Sequence, residues 1–182
     1  MRSTSVAAAL AAAIAVAPSA RAQQTELGTY VEVPAEGSST FTATVGSAIG
    51  IAAIPDSYRL GLDYEFGLNG PLLLDVGGAV GLAGNALDIH LAPGAKYLLP
   101  MEGLAWVPYG KATLAIDLMG GDAAERNIGL GIKLAGGLSY WFLREAAVGA
   151  ELGFTTGIAT GGGDSIGAFA LDALVTASYR LP

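Results

Sequence analysis

The chain has 182 residues, of which 52% are hydrophobic and 14% are charged, and its formal net charge is −7. This composition is too apolar for a disordered chain, and the lack of a basic patch argues against nucleic acid as a partner. The sequence has no cysteine, which excludes disulfides, thiolate chemistry and cysteine-ligated zinc.

The first 22 residues have the pattern of a secretory signal peptide. Arg2 supplies the positive start, residues 6–17 form an apolar core too short to span a membrane, and Ala20-Arg21-Ala22 matches an A-x-A cleavage site. We therefore expect export from the cytoplasm with cleavage before Gln23.

Residues 23–39 are polar and acidic, and they predict a short N-terminal lead-in. Within it, Thr29 to Val33 leaves open one additional short strand. Beyond the first 22 residues, no run of about 18 apolar residues predicts a transmembrane helix.

Residues 40–182 alternate between apolar and polar side chains in long runs. The clearest run ends the chain, with Phe169, Leu171 and Val175 on one face and Asp172 and Arg180 on the other. It is far longer than an ordinary strand of about 5–6 residues. The same pattern predicts eight strands, at Thr40–Ile51, Tyr58–Phe66, Leu72–Leu82, Ala86–Leu98, Ala105–Leu118, Asn127–Phe142, Ala146–Ala159 and Ser165–Leu181.

Short turns separate these strands, with signals such as Asn69-Gly70-Pro71, and the longest is a polar loop at residues 120–126. The order predicts an all-β fold, an eight-stranded antiparallel up-and-down barrel whose closure removes exposed edges. Pro93 deletes one ladder hydrogen bond in the middle of the fourth strand, and a β-bulge is the only account that the sequence offers.

Alternation alone fits two barrels, a transmembrane one with its apolar face outside and a lipocalin-like one with that face inside. The charges of the strands favour the first, because they share one face with glycine, alanine, serine and threonine, which suit a narrow interior. That face predicts a lumen charge network of Arg59, Asp63, Glu65, Asp75, Asp88, His90, Lys96, Lys111, Asp117, Lys133, Glu151, Asp172 and Arg180.

The aromatic residues of the opposite face also favour a transmembrane barrel. If the N-terminus lies in the periplasm, most of them fall near one membrane boundary, as in an aromatic girdle. The predicted girdle consists of Phe41, Tyr64, Phe66, Tyr97, Trp106, Tyr140, Phe142 and Tyr179.

Three stretches resemble the small bacterial outer-membrane barrels of the OmpA, OmpX and OmpW type. They are the Tyr-x-Phe that ends at Phe66, Gly-Leu-Ser-Tyr-Trp-Phe at residues 137–142 and Ala-Val-Gly-Ala-Glu-Leu-Gly-Phe at residues 147–154. The resemblance implies a porin-like barrel in the cell envelope of a Gram-negative bacterium, with outer-membrane lipid and the barrel assembly machinery as partners.

Fold does not select a task, so three functions are open. The first is a structural, non-catalytic barrel whose lumen charges pair with one another. The second is a narrow conduit for a small apolar or cationic solute, as in OmpW-like proteins, suggested by the excess of lumen acids and by inward glycines.

The third function is a lipid-modifying enzyme, which needs a nucleophile and a base. Only His90 offers a base, beside Asp88 on the same face, and no motif supplies a nucleophile. We therefore expect His90 to be a lumen histidine satisfied by a carboxylate, with no catalysis, metal site or cofactor.

Overall fold

The computed structural model describes residues 34, 36–52, 54, 56–83, 86–101, 105–121, 124–161 and 164–181. The predicted signal peptide, the optional strand at Thr29 to Val33 and most of the lead-in lie outside these residues. In the part of the chain that the structure describes, no helix is long and apolar enough to cross a membrane.

Eight antiparallel strands make up the fold, as the alternation predicts. They are β1 (Ser39–Ala52), β2 (Ser57–Asn69), β3 (Leu72–Ala83), β4 (Ala86–Leu98), β5 (Trp106–Gly121), β6 (Ala124–Trp141), β7 (Ala146–Gly161) and β8 (Asp164–Arg180). Every strand exceeds the usual length of about 5–6 residues.

The sheet closes on itself, since each strand pairs with its neighbour in sequence and β8 pairs with β1. Phe41, for example, lies opposite Tyr64 on β2 and Tyr179 on β8. The prediction of an eight-stranded up-and-down barrel is therefore confirmed. We call the end at which β1 begins the lower end and the end at which β1 finishes the upper end.

Residues alternate between the two faces of the wall, with polar side chains inside and apolar ones outside. On β2, Tyr58 is 72% exposed and Leu60 is 67% exposed, whereas Arg59 between them is only 4% exposed. Alternate side chains of a strand point to opposite faces, so the apolar surface of this barrel faces outward.

The connection between β5 and β6 is shorter than the predicted loop at residues 120–126. Gly121 pairs with Ala124, so that the two strands continue to a tight hairpin. The sequence prediction ended both strands where apolar alternation is lost, but backbone pairing continues because ladder hydrogen bonds do not depend on side-chain polarity.

Pro93 lies in β4 without a bulge, contrary to the account suggested by the sequence. It lies opposite Val76 on β3. On the β5 side, Leu91 pairs with Ile116 and Gly94 pairs with Thr113 in one unbroken register. The wall therefore tolerates the lost donor locally, with no extra residue inserted.

Candidate functional site: the interior of the barrel

The structure places the predicted lumen charges inside the barrel, with one exception at its lower end. All are buried except Arg180, which is half-buried. They are held by inward positions of β2 to β8, and the register brings them together as two groups of ion pairs.

The lower group joins three carboxylates to two lysines. Lys96 Nζ lies 2.8 Å from an oxygen of Glu65. Lys111 Nζ lies 2.7 Å from Asp63 and 2.8 Å from Asp75. Lys111 is thus the bridge between neighbouring strands β2 and β3, and it holds two carboxylates with one charge.

The upper group is organised around Arg59. Its guanidinium lies 3.0 Å from Asp172 and 3.1 Å from Asp88, and a longer ion pair of 3.8 Å reaches Asp117. Arginine presents several N–H donors in a rigid plane, which suits it to contact carboxylates from three different strands.

Lys133 links the upper group to the lower half of the interior. Its ammonium lies 3.1 Å from Asp172 and 3.4 Å from Glu151. Asp172 is therefore shared by Lys133 and Arg59, so the ion pairs run as a continuous chain across the middle of the barrel.

His90 is bonded to Asp117 rather than to Asp88, its neighbour on the same strand. His90 Nδ1 lies 2.7 Å from Asp117 Oδ1. The cause is the register, which sets these two residues directly opposite each other on β4 and β5. Asp88 is instead occupied by Arg59.

Tyr109 is a member of the interior that the sequence analysis missed. Its hydroxyl donates a hydrogen bond of 3.1 Å to Glu151, and the ammonium of Lys96 lies 4.1 Å from the centre of its ring. The signal was available, because Tyr109 has the same strand parity as Lys111 and therefore also points inward.

The sequence analysis also missed an apolar layer at each end of the interior. At the lower end, the buried side chains of Leu73, Leu98, Val107 and Tyr109 pack together, with Trp141 against them. Towards the upper end, the buried residues Ile54, Met119, Ala159, Ala168 and Ala170 form a second cluster. The charged groups are thus enclosed between two apolar layers.

Arg180 lies at the lower end of β8, where its side chain is half-buried. Its guanidinium carbon is 4.4 Å from the centre of the Trp141 ring, a distance at which a cation is attracted to the face of an aromatic ring. The structure therefore places Arg180 at the lower rim, where β8 ends.

The predicted girdle residues lie on the outward face near the lower end. Trp106 and Tyr140 are paired across β5 and β6, with ring centres 4.8 Å apart. Phe41 and Tyr64 are paired across β1 and β2 at 5.2 Å. The exposed members are Phe41, Tyr64, Tyr97, Trp106 and Tyr179, and the partly buried ones are Phe66, Tyr140 and Phe142.

A small cavity lies among the charges inside the barrel. A cavity of about 20 Å³ lies among Arg59, His90, Lys111, Lys133 and Glu151. A single water molecule needs roughly 10–15 Å³ of this kind of space, so the cavity has room for one or two water molecules but not for a hydrated ion.

No protein-family profile matches this sequence, and no curated protein matches it. Its fold is similar to that of several solved structures. The N-terminal β-barrel domain of Pseudomonas aeruginosa OprF is 16% identical, with a TM-score of 0.61 over 80% of this chain and 98% of that one. Neisserial surface protein A is 11% identical, with a TM-score of 0.63 over 79% of this chain and 96% of that one. The outer membrane protein OprG from Pseudomonas aeruginosa is 12% identical, with a TM-score of 0.54 over 82% of this chain and 98% of that one.

The chain resembles the small eight-stranded outer-membrane barrels. At these identities the likeness concerns the fold, so what this barrel does chemically must be read from its own interior. Among the described residues, no group of three or more His, Asp or Glu side chains is placed to hold a metal ion. Buried charges need partners, and nearly all the charged side chains of the interior form ion pairs with one another.

Proposed function

We propose that this protein is a structural barrel of the bacterial outer membrane, a non-catalytic component of the Gram-negative cell envelope with a closed, ion-paired interior. One observation carries the proposal, namely that ion pairs fill the interior between two apolar layers. Lys96 pairs with Glu65, Lys111 pairs with Asp63 and Asp75, and a connected series of pairs runs from Glu151 through Lys133, Asp172 and Arg59 to Asp88. The cavity lined by Arg59, His90 and Lys111 has room for one or two water molecules.

The outward face supports a location in a membrane. It is lined by exposed leucine, isoleucine and valine, with paired aromatic rings near the lower end, which suits the hydrocarbon and headgroup levels of a bilayer. In this proposal residues 1–22 direct export and are cleaved, the lower end faces the periplasm, the barrel assembly machinery inserts the chain, and lipid surrounds the wall.

Gel mobility of the outer-membrane fraction, with and without boiling in SDS, tests the location. We expect a band that shifts on boiling, because a closed barrel with every strand paired resists SDS at room temperature. A soluble periplasmic protein without such a shift would contradict the proposal and would favour a soluble barrel.

Conductance in planar lipid bilayers tests whether the interior is closed. We expect no single-channel currents from protein whose folding has been verified by the mobility shift, with an established porin inserted in the same bilayers as the positive control. Reproducible currents from folded samples would show that the ion pairs do not seal the lumen.

A narrow conduit for a small cationic solute is the second candidate, and it is the outcome that such currents would favour. Its support is the imbalance of interior charges, because the described residues include seven buried acids but four buried bases, with Arg180 half-buried at the lower end. A lumen with net negative charge attracts cations, so these currents would be cation-selective.

Catalysis has the least support. His90 is buried, and its Nδ1 is bonded to Asp117 inside the barrel. We expect the lipid A structure of a strain that carries His90→Ala to match that of the wild-type strain. A changed lipid A structure would favour an enzyme.

A further inference from the structure

The cavity in the middle of the barrel lies where the two groups of ion pairs approach each other. Its volume is about 20 Å³, and small residues of β3 and β4 form one of its sides. The titratable side chains that line it are Arg59, Asp63, His90, Lys111, Lys133 and Glu151. Two of them carry nitrogen atoms whose hydrogen bonding the protein leaves incomplete.

The first of these atoms is Nε2 of His90. His90 is only 4% exposed, and its Nε2 has no hydrogen-bond partner among the described residues. Its other ring nitrogen, Nδ1, is bonded to Asp117. His90 lines the cavity whereas Asp117 does not, so the edge of the ring that faces the cavity is the one that carries Nε2.

The second atom is Nε of Arg59. The two terminal nitrogens of this guanidinium are bonded to Asp172 and Asp88. Nε is buried and has no hydrogen-bond partner among the described residues. Arg59 is also only 4% exposed, and it lines the same cavity as His90. Buried polar groups without a partner are rare in folded proteins.

The two nitrogens have complementary hydrogen-bonding roles. An arginine nitrogen can only donate. An ionised carboxylate can only accept, so His90 Nδ1 carries the hydrogen of its bond with Asp117, and Nε2 of a neutral ring is an acceptor. One water molecule can accept from Arg59 and donate to His90, and it could equally accept from a protonated ring.

We propose that this cavity is a binding site for one ordered water molecule, which bridges Arg59 Nε and His90 Nε2. A buried water molecule makes about three hydrogen bonds, and the charged groups of the lower ion pairs, which line the same cavity, supply the third. The bound water thus connects Arg59 and His90 with the lower group through hydrogen bonds that the side chains do not make directly.

Water suits this lining better than an ion does. An anion would lie beside the carboxylates of Asp63 and Glu151, and a cation would lie beside Arg59, Lys111 and Lys133. A neutral molecule with donors and acceptors meets neither repulsion. The volume of the cavity also exceeds the roughly 10–15 Å³ that one water molecule requires.

A crystal structure of the folded barrel, from crystals grown with and without sodium bromide, tests the site directly. We expect a density peak at hydrogen-bond distance, about 2.7–3.2 Å, from both Arg59 Nε and His90 Nε2. The peak should show no anomalous signal in bromide. A cavity without density overturns the proposal, and so does a bromide signal there, which would identify an anion site.

Ala79→Val should remove the water. Ala79 lines the cavity and lies opposite His90 in the β3–β4 ladder, so two more carbon atoms at this position occupy the space of the water. Ala95→Val is the matched control, because Ala95 follows the outward parity of β4, next to the inward Lys96. If Ala79→Val does not fold, Ala92→Val narrows the same cavity from β4.

Nuclear magnetic resonance provides a second measurement, since His90 is the only histidine of the chain. In histidine-labelled protein in lipid nanodiscs, we expect a cross-relaxation peak between water and the ring protons of His90. This peak should persist in Ala95→Val and disappear in Ala79→Val. No peak in the wild type, or an equal peak in all three proteins, contradicts a water molecule bound between His90 and Arg59.

Discussion

The hydroxyl of Tyr109 donates a hydrogen bond to the carboxylate of Glu151 across the inside of the barrel, at 3.1 Å. The ring of the same tyrosine belongs to the lower apolar layer. Tyr109 therefore contacts both kinds of side chain in the interior: its ring packs in the lower apolar layer, and its hydroxyl is bonded to the ion-paired Glu151. Every other contact of Glu151 described above comes from Lys133, on the neighbouring strand β6.

Replacing Tyr109 by phenylalanine tests that junction. The ring and its contact with Lys96 remain, but Glu151 loses a donor inside the barrel. Hydrogen bonds to charged groups contribute about 1.5–3 kcal/mol, so we expect Tyr109→Phe to lower the free energy of unfolding in vesicles by this amount. Tyr97→Phe on the exposed outer face is the control and should change it little; equal effects would show that the Tyr109–Glu151 bond is unimportant.

Arg59 is the residue whose loss should cost the most, because three carboxylates converge on it. Arg59→Met keeps a similar length of side chain and removes the charge. Removing one partner of a buried ion pair costs about 3–5 kcal/mol, and we expect a loss of at least this size in urea titrations. Glu36→Gln, at an exposed position, is the control, and a similar small effect of both variants would contradict the assigned role of Arg59.

Two adjacent glycines of β6 face opposite sides of the barrel wall, Gly137 the interior and Gly136 the outside. A Cβ atom at Gly137 would collide with the ring of Tyr109, whereas one at Gly136 would meet only a backbone oxygen at 3.8 Å. Overpacking costs typically about 1–3 kcal/mol. We therefore expect Gly137→Ala to destabilise the barrel by this amount and Gly136→Ala to be nearly neutral, as measured by the urea midpoint. The reverse order would mean that the faces of β6 are inverted.

The depth of the outer wall can be probed with a single charge. Ile132 lies near the middle of β6 and Ile128 lies nearer the upper end, and both are about half exposed on the outer face. If lipid surrounds the wall, Ile132→Arg should cost about 2–4 kcal/mol of folding free energy in vesicles and Ile128→Arg distinctly less. Equal and small costs would indicate water, not hydrocarbon, around the barrel.

Sequence reasoning succeeded where a single strand decides the outcome. The inward parity of Arg59, Lys111 and Asp172 follows from alternation alone, because neighbouring side chains of a strand must point to opposite faces. The same rule also predicts that Tyr109 points inward, but only charged residues and His90 were assigned to the interior from the sequence. The partner of His90 could not be read in this way, because a pair across two strands depends on their register.

The amino-acid sequence by itself determined eight long strands, their order around the barrel and the face on which each charge lies, since all three follow from local alternation and short turns. Only the tertiary structure decided which charges meet. The register of β2 with β3 sets Glu65 against Asp75, and the register of β4 with β5 sets His90 against Asp117. Closure of β8 onto β1 then brings Asp172 within reach of Arg59, 113 residues away in the chain, because a closed barrel forces side chains from distant strands into one narrow interior.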